Sequence, residues 1–277
     1  MKTTLAAIIV SLGLFGGMTC AEAATIQLYT GSGRPGDQPW LAFTNLYGAS
    51  ETLDSNNGNR VNLSTSGDDS IYAGYSNYYS SINPSTGAPI LISKNNAFPT
   101  LDRTSGYTLN FSVQINSESH NGTNGPNRAG FNVIAISDDK KGIELGFWNN
   151  EIWAQNTNFN KGESYSFNTQ SLNTYSLTIS GDTYTLSANG TPLPNLTNQP
   201  LRDYASTTPN EPQYLPYKTS NFISLGDNTT SAQANITLGA VSVATPVPFE
   251  FSPTLGLLIL GSWAVVYQLK NQKKCQL

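Results

Sequence analysis

Two glutamates in one tryptophan-bearing stretch are the residues whose types and spacing could do chemistry. Glu144 and Glu151 lie within residues 141–156, KGIELGFWNNEIWAQN, on the strand face predicted to carry Trp148 and Trp153. Glycoside hydrolysis requires two carboxylates that flank the sugar bond. The E-x-D-x-E spacing that jelly-roll glucanases use on one strand is missing here. We therefore expect both glutamates to be solvated or hydrogen-bonded sheet residues, and the chain to be no enzyme and to have no catalytic residues.

Histidine and aspartate add little further chemistry. His120 is the single histidine, and it lies in the polar segment SESHNGTNGPNR, residues 117–128. Neither a catalytic triad nor a histidine-rich metal site can be built around it, so we expect a solvated loop residue. No cofactor is predicted, but oxygen ligands suit Ca²⁺, and a calcium ion at turn aspartates is left open. These aspartates, which turns also favour for other reasons, are Asp68, Asp69, Asp138, Asp139 and Asp227.

Aromatic residues are the candidates for binding a sugar, because an exposed ring can stack on the apolar face of a pyranose. The alternative is that these rings are buried packing area, which is the commoner use of aromatic side chains. The candidates are Trp148, Trp153, Tyr72, Tyr75, Tyr78 and Tyr79.

Alternating apolar residues predict β-strands along most of the chain. In residues 107–116 the odd positions are apolar and the even positions polar, which is typical of a strand with one buried and one solvated face. Two alternating runs around Asn149-Asn150 predict a hairpin, because Asn tolerates the positive φ of a tight turn. No run has helical spacing over three turns. We predict an all-β, antiparallel β-sandwich in which residues 48–59 form a loop and the proline-rich residues 190–220 cross the surface.

Composition excludes one class of partner and one source of stability. Of the 277 residues, 12% are charged and the net charge is −4, so no basic patch is available to bind nucleic acid. The two cysteines, Cys20 and Cys275, lie outside the predicted body, which must fold without a disulfide.

Both ends of the chain are predicted to direct it to a membrane. Residues 1–23 have one lysine, an apolar core and a small-x-small cleavage site at Ala21 and Ala23, which predicts a secretory signal, with a first transmembrane helix as the alternative. Residues 255–269 carry no charge and precede three lysines, which predicts a single transmembrane helix with a cytoplasmic C-terminus. A buried C-terminal helix is the alternative.

The predicted parts are the signal (1–23), the β-sandwich domain (24–244), a linker and sorting motif (245–254), the transmembrane helix (255–269) and a basic cytoplasmic tail (270–277).

The tail resembles a known sorting signal. A Pro-Phe-Glu-Phe-Ser-Pro element precedes the apolar segment and the basic end, and it comprises Pro248, Phe249, Glu250, Phe251, Ser252 and Pro253. This pattern is similar to the cyanobacterial form of the PEP-CTERM signal, in which the usual element reads Pro-Glu-Pro. The resemblance implies recognition by a membrane enzyme called exosortase. It also implies export to the cell envelope or cell surface, with anchoring by the helix unless the tail is processed.

Six segments of the body follow a known family pattern: residues 98–102 (FPTLD), 128–131 (RAGF), 142–148 (GIELGFW), 152–155 (IWAQ), 201–204 (LRDY) and 222–227 (FISLGD). In these segments the body resembles the cyanobacterial choice-of-anchor surface domain of the Y type, whose pattern is similar to concanavalin A-like and laminin G-like sandwiches. That family has no assigned reaction and implies no catalytic residues, but it implies a jelly-roll sandwich.

Three functions agree with these observations. The first is an exported, membrane- or surface-anchored, non-catalytic β-sandwich that binds extracellular polysaccharide. The second is a polysaccharide-degrading enzyme of the jelly-roll type, which requires Glu144 and Glu151 to lie in one open groove. The third is a structural surface-layer or adhesion component with no small ligand.

Overall fold

The computed structural model describes residues 24–44, 48–69, 71–82, 89–94, 96–120, 127–208 and 214–246, and within 79–82 and 89–94 the backbone alone. The predicted signal and the predicted sorting tail lie outside this part of the chain. Over the described residues no helix is both long enough and apolar enough to cross a bilayer. These residues form one unit, 23–246.

Strands make up most of the described chain, and the helices are single turns. The strands are β1 (Ala24–Tyr29), β2 (Leu41–Phe43), β3 (Ser50–Asp54), β4 (Arg60–Ser64), β5 (Ala73–Ser76), β6 (Tyr78–Ile82), β7 (Pro89–Lys94), β8 (Tyr107–Ser119), β9 (Asn132–Ile136), β10 (Gly142–Trp148), β11 (Glu151–Gln155), β12 (Lys161–Ser166), β13 (Asn173–Ser180), β14 (Thr183–Ala188), β15 (Thr191–Pro192), β16 (Gln199–Pro200), β17 (Phe222–Asp227) and β18 (Gln233–Thr245). The α-helical turns are α1 (Tyr204–Thr207) and α2 (Leu215–Lys218), and 3₁₀ turns cover Pro35–Asp37, Ser55–Asn57 and Pro194–Leu196.

The strands form two large antiparallel sheets. The larger sheet has nine strands in the order β15-β14-β13-β8-β18-β4-β3, with β1 added beside β18 and β16 beside β14. The smaller sheet has seven strands in the order β12-β11-β10-β9-β17-β5-β2, and β6 and β7 form a separate pair. The predicted antiparallel β-sandwich is confirmed.

The core lies between the two sheets. The odd-numbered residues of β8 from Tyr107 to Ile115 are buried, as the alternation predicts, and they pack with the inward residues of β10 and β11. Phe111 of the larger sheet meets Phe147 of the smaller sheet edge to face, at 5.9 Å between ring centroids. Burial of these apolar surfaces is the main favourable term in folding, so the core fixes which residues of each sheet face outward.

The predicted hairpin is present, and its register is clear. Leu145 pairs with Ala154 and Trp148 with Glu151, so Asn149 and Asn150 form the turn. Ile143, Leu145 and Phe147 face the core. Glu144, Gly146 and Trp148 therefore face outward, as the pattern predicts.

One local prediction needs correction. The prediction of a loop at residues 48–59 is wrong, because β3 occupies Ser50–Asp54 and pairs with β4. Its side chains are largely exposed, so it has no apolar alternation. The surface segment 190–220 contains α1 and α2, and helical turns of four residues are too short to show a period.

Candidate functional site

The outer faces of the two sheets differ in chemistry. On the larger sheet, the central strands β8 and β13 point Ser, Thr, Asn and Gln side chains outward, and these hydrogen-bond to one another across the strands. The pairs are Thr108 with Thr178, Ser112 with Thr174, and Asn110 with Ser176. The outer face of the smaller sheet instead carries carboxylates and indole rings, from Glu144 to Trp153. Ionisable groups gathered away from bulk water often mark sites of chemistry, so this second face is the candidate site.

A polar group lies in the middle of this face, and we name it the covered cluster: Arg128, Glu144, Gln155, Tyr217 and Asn228. Glu144 is 0% exposed. Its Oε2 accepts a hydrogen bond from the Tyr217 hydroxyl at 2.7 Å, and its Oε1 accepts one from Asn228 Nδ2 at 3.1 Å. Arg128 Nη2 lies 3.6 Å from the same Oε1, and Arg128 Nη1 donates to Gln155 Oε1 at 3.1 Å. The buried carboxylate is therefore paired and hydrogen-bonded, as a buried charge must be.

The cover over this cluster comes from the segment that carries α1 and α2. Tyr204 and Tyr217 stand side by side, at 5.0 Å between ring centroids. The Tyr204 hydroxyl donates to the backbone oxygen of Gln155 at 2.7 Å and accepts from the backbone N–H of Glu144 at 3.2 Å. The Phe159 ring packs edge to face on Tyr217 at 5.2 Å. These contacts fasten the crossing segment to the sheet and close Glu144 off from solvent.

The two tyrosine hydroxyls are held in the neutral form. Burial raises the pKa of Tyr204 and of Tyr217 well above the usual value for a phenol, and the nearby Glu144 carboxylate raises both pKa values further. Each hydroxyl therefore keeps its proton and acts as a hydrogen-bond donor at neutral pH.

A second group lies where β8 reaches the hairpin turn, and we name it the edge cluster: Glu118, His120, Trp148, Glu151 and Lys161. A β-bulge brings Glu118 into it. Ile115 pairs with Ile236 but Ser117 pairs with Asn235, so β8 has one extra residue at this point. Such a residue reverses the alternation of side chains. Glu118 consequently turns inward, and its side chain is only 5% exposed.

Glu118 holds His120 in a defined orientation. Glu118 Oε2 lies 2.7 Å from His120 Nδ1, while Glu118 Oε1 accepts from the backbone N–H of Asn149 at 3.3 Å. The His120 ring is stacked on Trp148, with 3.9 Å between centroids and 13° between planes. His120 remains 32% exposed. The prediction of a solvated loop residue is therefore wrong, because this histidine is fixed by a carboxylate and an indole.

Lys161 completes the edge cluster. Its Nζ donates to Glu151 Oε2 at 2.6 Å and lies 4.4 Å from the centroid of a Trp148 ring, within the range of a cation–π contact. Burial raises the pKa of Glu151, but the hydrogen bonds from Lys161 and Ser164 and the charge of Lys161 outweigh that effect, so its pKa lies below the usual value. Glu151 is accordingly an ionised partner of Lys161 at neutral pH.

Trp148 joins the two clusters, and Trp153 lies beneath them. Trp148 Nε1 donates to the backbone oxygen of Arg128 at 2.9 Å, and the two indoles are 5.6 Å apart. Trp153 is fully buried and lies on Gly146, where an added Cβ would come within 2.5 Å of Trp153 Cζ2. Trp153 therefore has no exposed ring face. The Trp148 ring stacks on His120, and only a small part of its surface is exposed to solvent.

The predicted tyrosine group is dispersed. Tyr75 is buried, and its hydroxyl donates to Glu51 Oε1 at 2.8 Å. Tyr78 is buried beside Phe222, at 6.3 Å between centroids. Tyr72 is 36% exposed. The side chain of Tyr79 lies outside the described part of the chain. Of the described tyrosines in this group, Tyr72 is the most exposed.

The predicted carboxylate pair is not assembled in an open groove. Glu144 is covered by Tyr217, whereas Glu151 pairs with Lys161 at the other end of the hairpin. The expectation that both are hydrogen-bonded sheet residues is confirmed.

The turn aspartates are engaged with protein groups rather than gathered together. Asp139 pairs with Arg103 at 2.7 Å, Asp69 accepts from Gln233 at 3.0 Å, and Asp227 accepts from Thr65 at 2.7 Å. Over the described ranges, no three His, Cys, Asp or Glu side chains come close enough to hold a metal ion.

A cavity of about 250 Å³ lies elsewhere on the domain and shares no residue with either cluster. Its lining includes Asp102, which Ser105 and Thr104 hold by hydrogen bonds that lower its pKa to about 2. The carboxylate in this cavity is therefore already hydrogen-bonded by its neighbours in the chain.

Comparisons with known proteins show likeness of fold. No protein-family model matches the chain, and no curated protein matches it. Among solved structures, a conserved carbohydrate esterase from the Shiga toxin-encoding bacteriophage phi24B is 13% identical, with a TM-score of 0.49, over 81% of this chain and 100% of that one. A Bacillus subtilis protein with a galectin-like fold is 10% identical, with a TM-score of 0.43, over 82% and 98%. A family 7 alginate lyase is 11% identical, with a TM-score of 0.37, over 84% and 97%.

These comparisons correct one prediction. The matched structures are mostly named as carbohydrate-processing enzymes, and besides the esterase and the lyase they include a transglycosylase and sialidases. The prediction that the chain is not an enzyme is contradicted by these matches. At this level of identity the likeness shows the fold alone and assigns no reaction.

Proposed function

We propose that this chain is a carbohydrate-directed β-sandwich protein whose ligand meets the edge cluster. The observation that carries the proposal is that an indole, an imidazole, an ammonium and two carboxylates meet at one partly exposed point of the smaller sheet. Sugar-sized ligands are held by a few polar groups placed beside apolar and aromatic surface. The edge cluster supplies both kinds of surface where the end of β8 and strand β12 meet the hairpin of β10 and β11.

The covered cluster restricts where the ligand lies. Tyr204 and Tyr217 occupy the outer face over Glu144, so a polysaccharide chain cannot run across the middle of the smaller sheet in this structure. His120, Glu151 and Lys161 retain exposed surface at the hairpin end. The ligand is therefore expected to approach the sandwich at this end.

Binding to a panel of extracellular polysaccharides tests the proposal. The Lys161→Met variant removes the ammonium group of the edge cluster. Lys141→Met is the matched control, because Lys141 is also ion-paired, with Asp182 at 2.9 Å, but lies outside both clusters. A charge-assisted hydrogen bond from the Lys161 ammonium to the ligand contributes about 1.5–3 kcal/mol. Its loss in Lys161→Met should weaken polysaccharide binding roughly tenfold to a hundredfold, whereas Lys141→Met should bind like the parent. Absence of binding across the panel, or equal loss in both variants, would overturn the proposal.

We further propose that the protein is exported and sorted by its tail. Support comes from the predicted signal at residues 1–23 and from the motif at residues 248–253 ahead of an uncharged segment. Cell fractionation and the mass of the mature protein test this cellular location and the processing of the chain. Expected results are recovery in the membrane or envelope fraction and loss of residues 1–23, while a cytosolic protein of full mass would refute it.

A further inference from the structure

We infer that His120 and Glu118 form a general-base pair that hydrolyses a neutral acyl ester carried by the bound carbohydrate. The inference rests on the proposed function for the carbohydrate part alone. The chemistry of the pair follows from the edge cluster itself, and simple esters test it without any sugar.

The hydrogen bond to Glu118 fixes the state of the imidazole. A carboxylate accepts hydrogen bonds, so at 2.7 Å from Glu118 Oε2 the Nδ1 atom of His120 carries the proton. The Nε2 atom of the neutral ring then bears a lone pair. Orientation of an imidazole by a carboxylate at one nitrogen, so that the other can take a proton, is how a general base is positioned.

Two further contacts keep the pair rigid. The indole of Trp148 supports one face of the His120 ring, so the ring cannot rotate freely about its Cβ. Glu118 is itself held by the backbone N–H of Asn149 in the hairpin turn, and its side chain is almost fully buried. His120 makes its hydrogen bond to Glu118 through Nδ1. The histidine is exposed to solvent by about a third, so water and a ligand can reach it.

Among the described residues, the other carboxylates on this face leave no free acid–base pair for cleaving a glycosidic bond. That reaction requires one carboxylic acid and one free carboxylate on opposite sides of the bond. Glu144 is paired with Arg128 and Tyr217, Glu151 is paired with Lys161, and Glu118 is paired with His120. Base catalysis by the imidazole is the chemistry that remains.

The charge of the edge cluster favours a neutral substrate. Glu118 and Glu151 contribute two negative charges and Lys161 one positive charge, so the cluster carries one net negative charge when His120 is neutral. An anionic sugar acid would meet Coulomb repulsion there. An uncharged ester of a sugar hydroxyl would not, so an O-acyl group such as acetate is the substrate class that fits.

The step uses water alone as co-reactant. His120 Nε2 takes a proton from a water molecule while the water oxygen forms a bond to the acyl carbon, and the carbonyl electron pair moves to its oxygen. That pair then re-forms the carbonyl and breaks the bond to the sugar oxygen, which takes the proton from Nε2. The products are a carboxylic acid and a free sugar hydroxyl, and His120 returns to its neutral state.

Hydrolysis of p-nitrophenyl acetate by the full-length chain tests the pair. General-base catalysis contributes about 10²–10⁴-fold, so His120→Gln should lose at least about a hundredfold of kcat/KM. Glu118→Gln keeps the imidazole but loses its orienting carboxylate, and we expect a loss of kcat with little change in KM. Glu163→Gln is the matched control, because Glu163 is a partly buried carboxylate paired with Arg202 at 2.6 Å outside the edge cluster. It should retain the parent rate.

Further measurements distinguish failure of the general-base pair from failure of the proposed carbohydrate binding. The pH–rate profile of the parent should differ in shape from that of His120→Gln, because only the parent has a general base at this position. Release of acetate from an O-acetylated neutral polysaccharide should follow the same pattern. Equal rates in the parent and His120→Gln overturn the general-base pair, even if polysaccharide binding is observed. Hydrolysis of the simple ester that depends on His120, without binding of any polysaccharide, supports the pair and overturns the carbohydrate proposal.

Discussion

Replacement of Glu144 by Ala should loosen the segment that crosses the outer face of the smaller sheet. The carboxylate receives hydrogen bonds from Tyr217 on that segment and from Asn228, and it faces the guanidinium of Arg128. Its removal leaves the buried Tyr217 hydroxyl without its acceptor and leaves Arg128 without its counter-ion.

The size of the effect follows from what each group loses. Breaking a buried ion pair costs about 3–5 kcal/mol. The Arg128 side chain is 14% exposed and keeps acceptors at Gln155, Thr229 and Asn228, so its share is smaller than for a fully buried ion. The Tyr217 hydroxyl keeps the hydrogen bond that it accepts from Asn228 but loses its own acceptor, which costs about 1–3 kcal/mol. With a share of about 1 kcal/mol for Arg128, we expect the free energy of unfolding to fall by about 2–4 kcal/mol in total.

Urea denaturation of the parent, Glu144→Ala, Tyr217→Phe and the double variant measures this directly. Because Glu144 and Tyr217 share one hydrogen bond, the double variant should lose less than the sum of the single losses, with a coupling energy of about 1 kcal/mol or more. Lys141→Met, an exposed ion-pair variant outside both clusters, should change the free energy by less than about 1 kcal/mol. A Glu144→Ala variant within 0.5 kcal/mol of the parent, roughly the level of an ordinary surface substitution, would refute the reasoning.

Two further predictions concern the same sheet and its rim. Gly146→Ala places a methyl group 2.5 Å from Trp153 Cζ2, so we expect a loss of about 1–3 kcal/mol by overpacking, measured by urea denaturation with tryptophan fluorescence. Burial raises the pKa of Asp227 well above its usual value. The folded state therefore favours the protonated acid, and its contribution to stability is full below the unfolded pKa of about 3.9 and is lost as pH rises through the folded pKa. Asp227→Asn should then gain stability relative to the parent as pH rises, and a constant difference from pH 3 to 8 in denaturation experiments would contradict this.

Strand alternation predicts the sandwich because the core requires it. The odd positions of 107–116 and the two runs around Asn149-Asn150 have a period of two, and the structure buries one face of each. β3 could not be found in this way. It lies at the edge of the larger sheet with most side chains in solvent, so burial imposes no pattern on its sequence.

The edge cluster could not be predicted from alternation, and the reason is the bulge in β8. By parity with Thr108 and Asn116, Glu118 belongs on the solvated face of the strand. The extra residue between Ile115 and Ser117 reverses that parity and turns Glu118 toward the hairpin. No turn residue in the strand signals the bulge. The covered cluster could not be predicted from alternation either. Its central hydrogen bond joins Glu144 and Tyr217, which lie 73 positions apart in the sequence.

The covered cluster also allows a test of whether its charges serve stability or position. Single replacements in a buried ion pair are costly, whereas replacement of both partners by apolar residues of similar size is often neutral or stabilising. Arg128→Met combined with Glu144→Leu, and with Tyr217→Phe to remove the unpaired hydroxyl, should therefore recover most of the stability that Glu144→Ala loses. The crossing segment would then keep the two Tyr204 hydrogen bonds to the sheet backbone but lose the one from Tyr217 to Glu144. Limited proteolysis within residues 201–221 should therefore accelerate although the free energy of unfolding is restored. If the triple variant stays as unstable as Glu144→Ala, the buried pair of Arg128 and Glu144 contributes net stability and does not mainly fix the position of this segment.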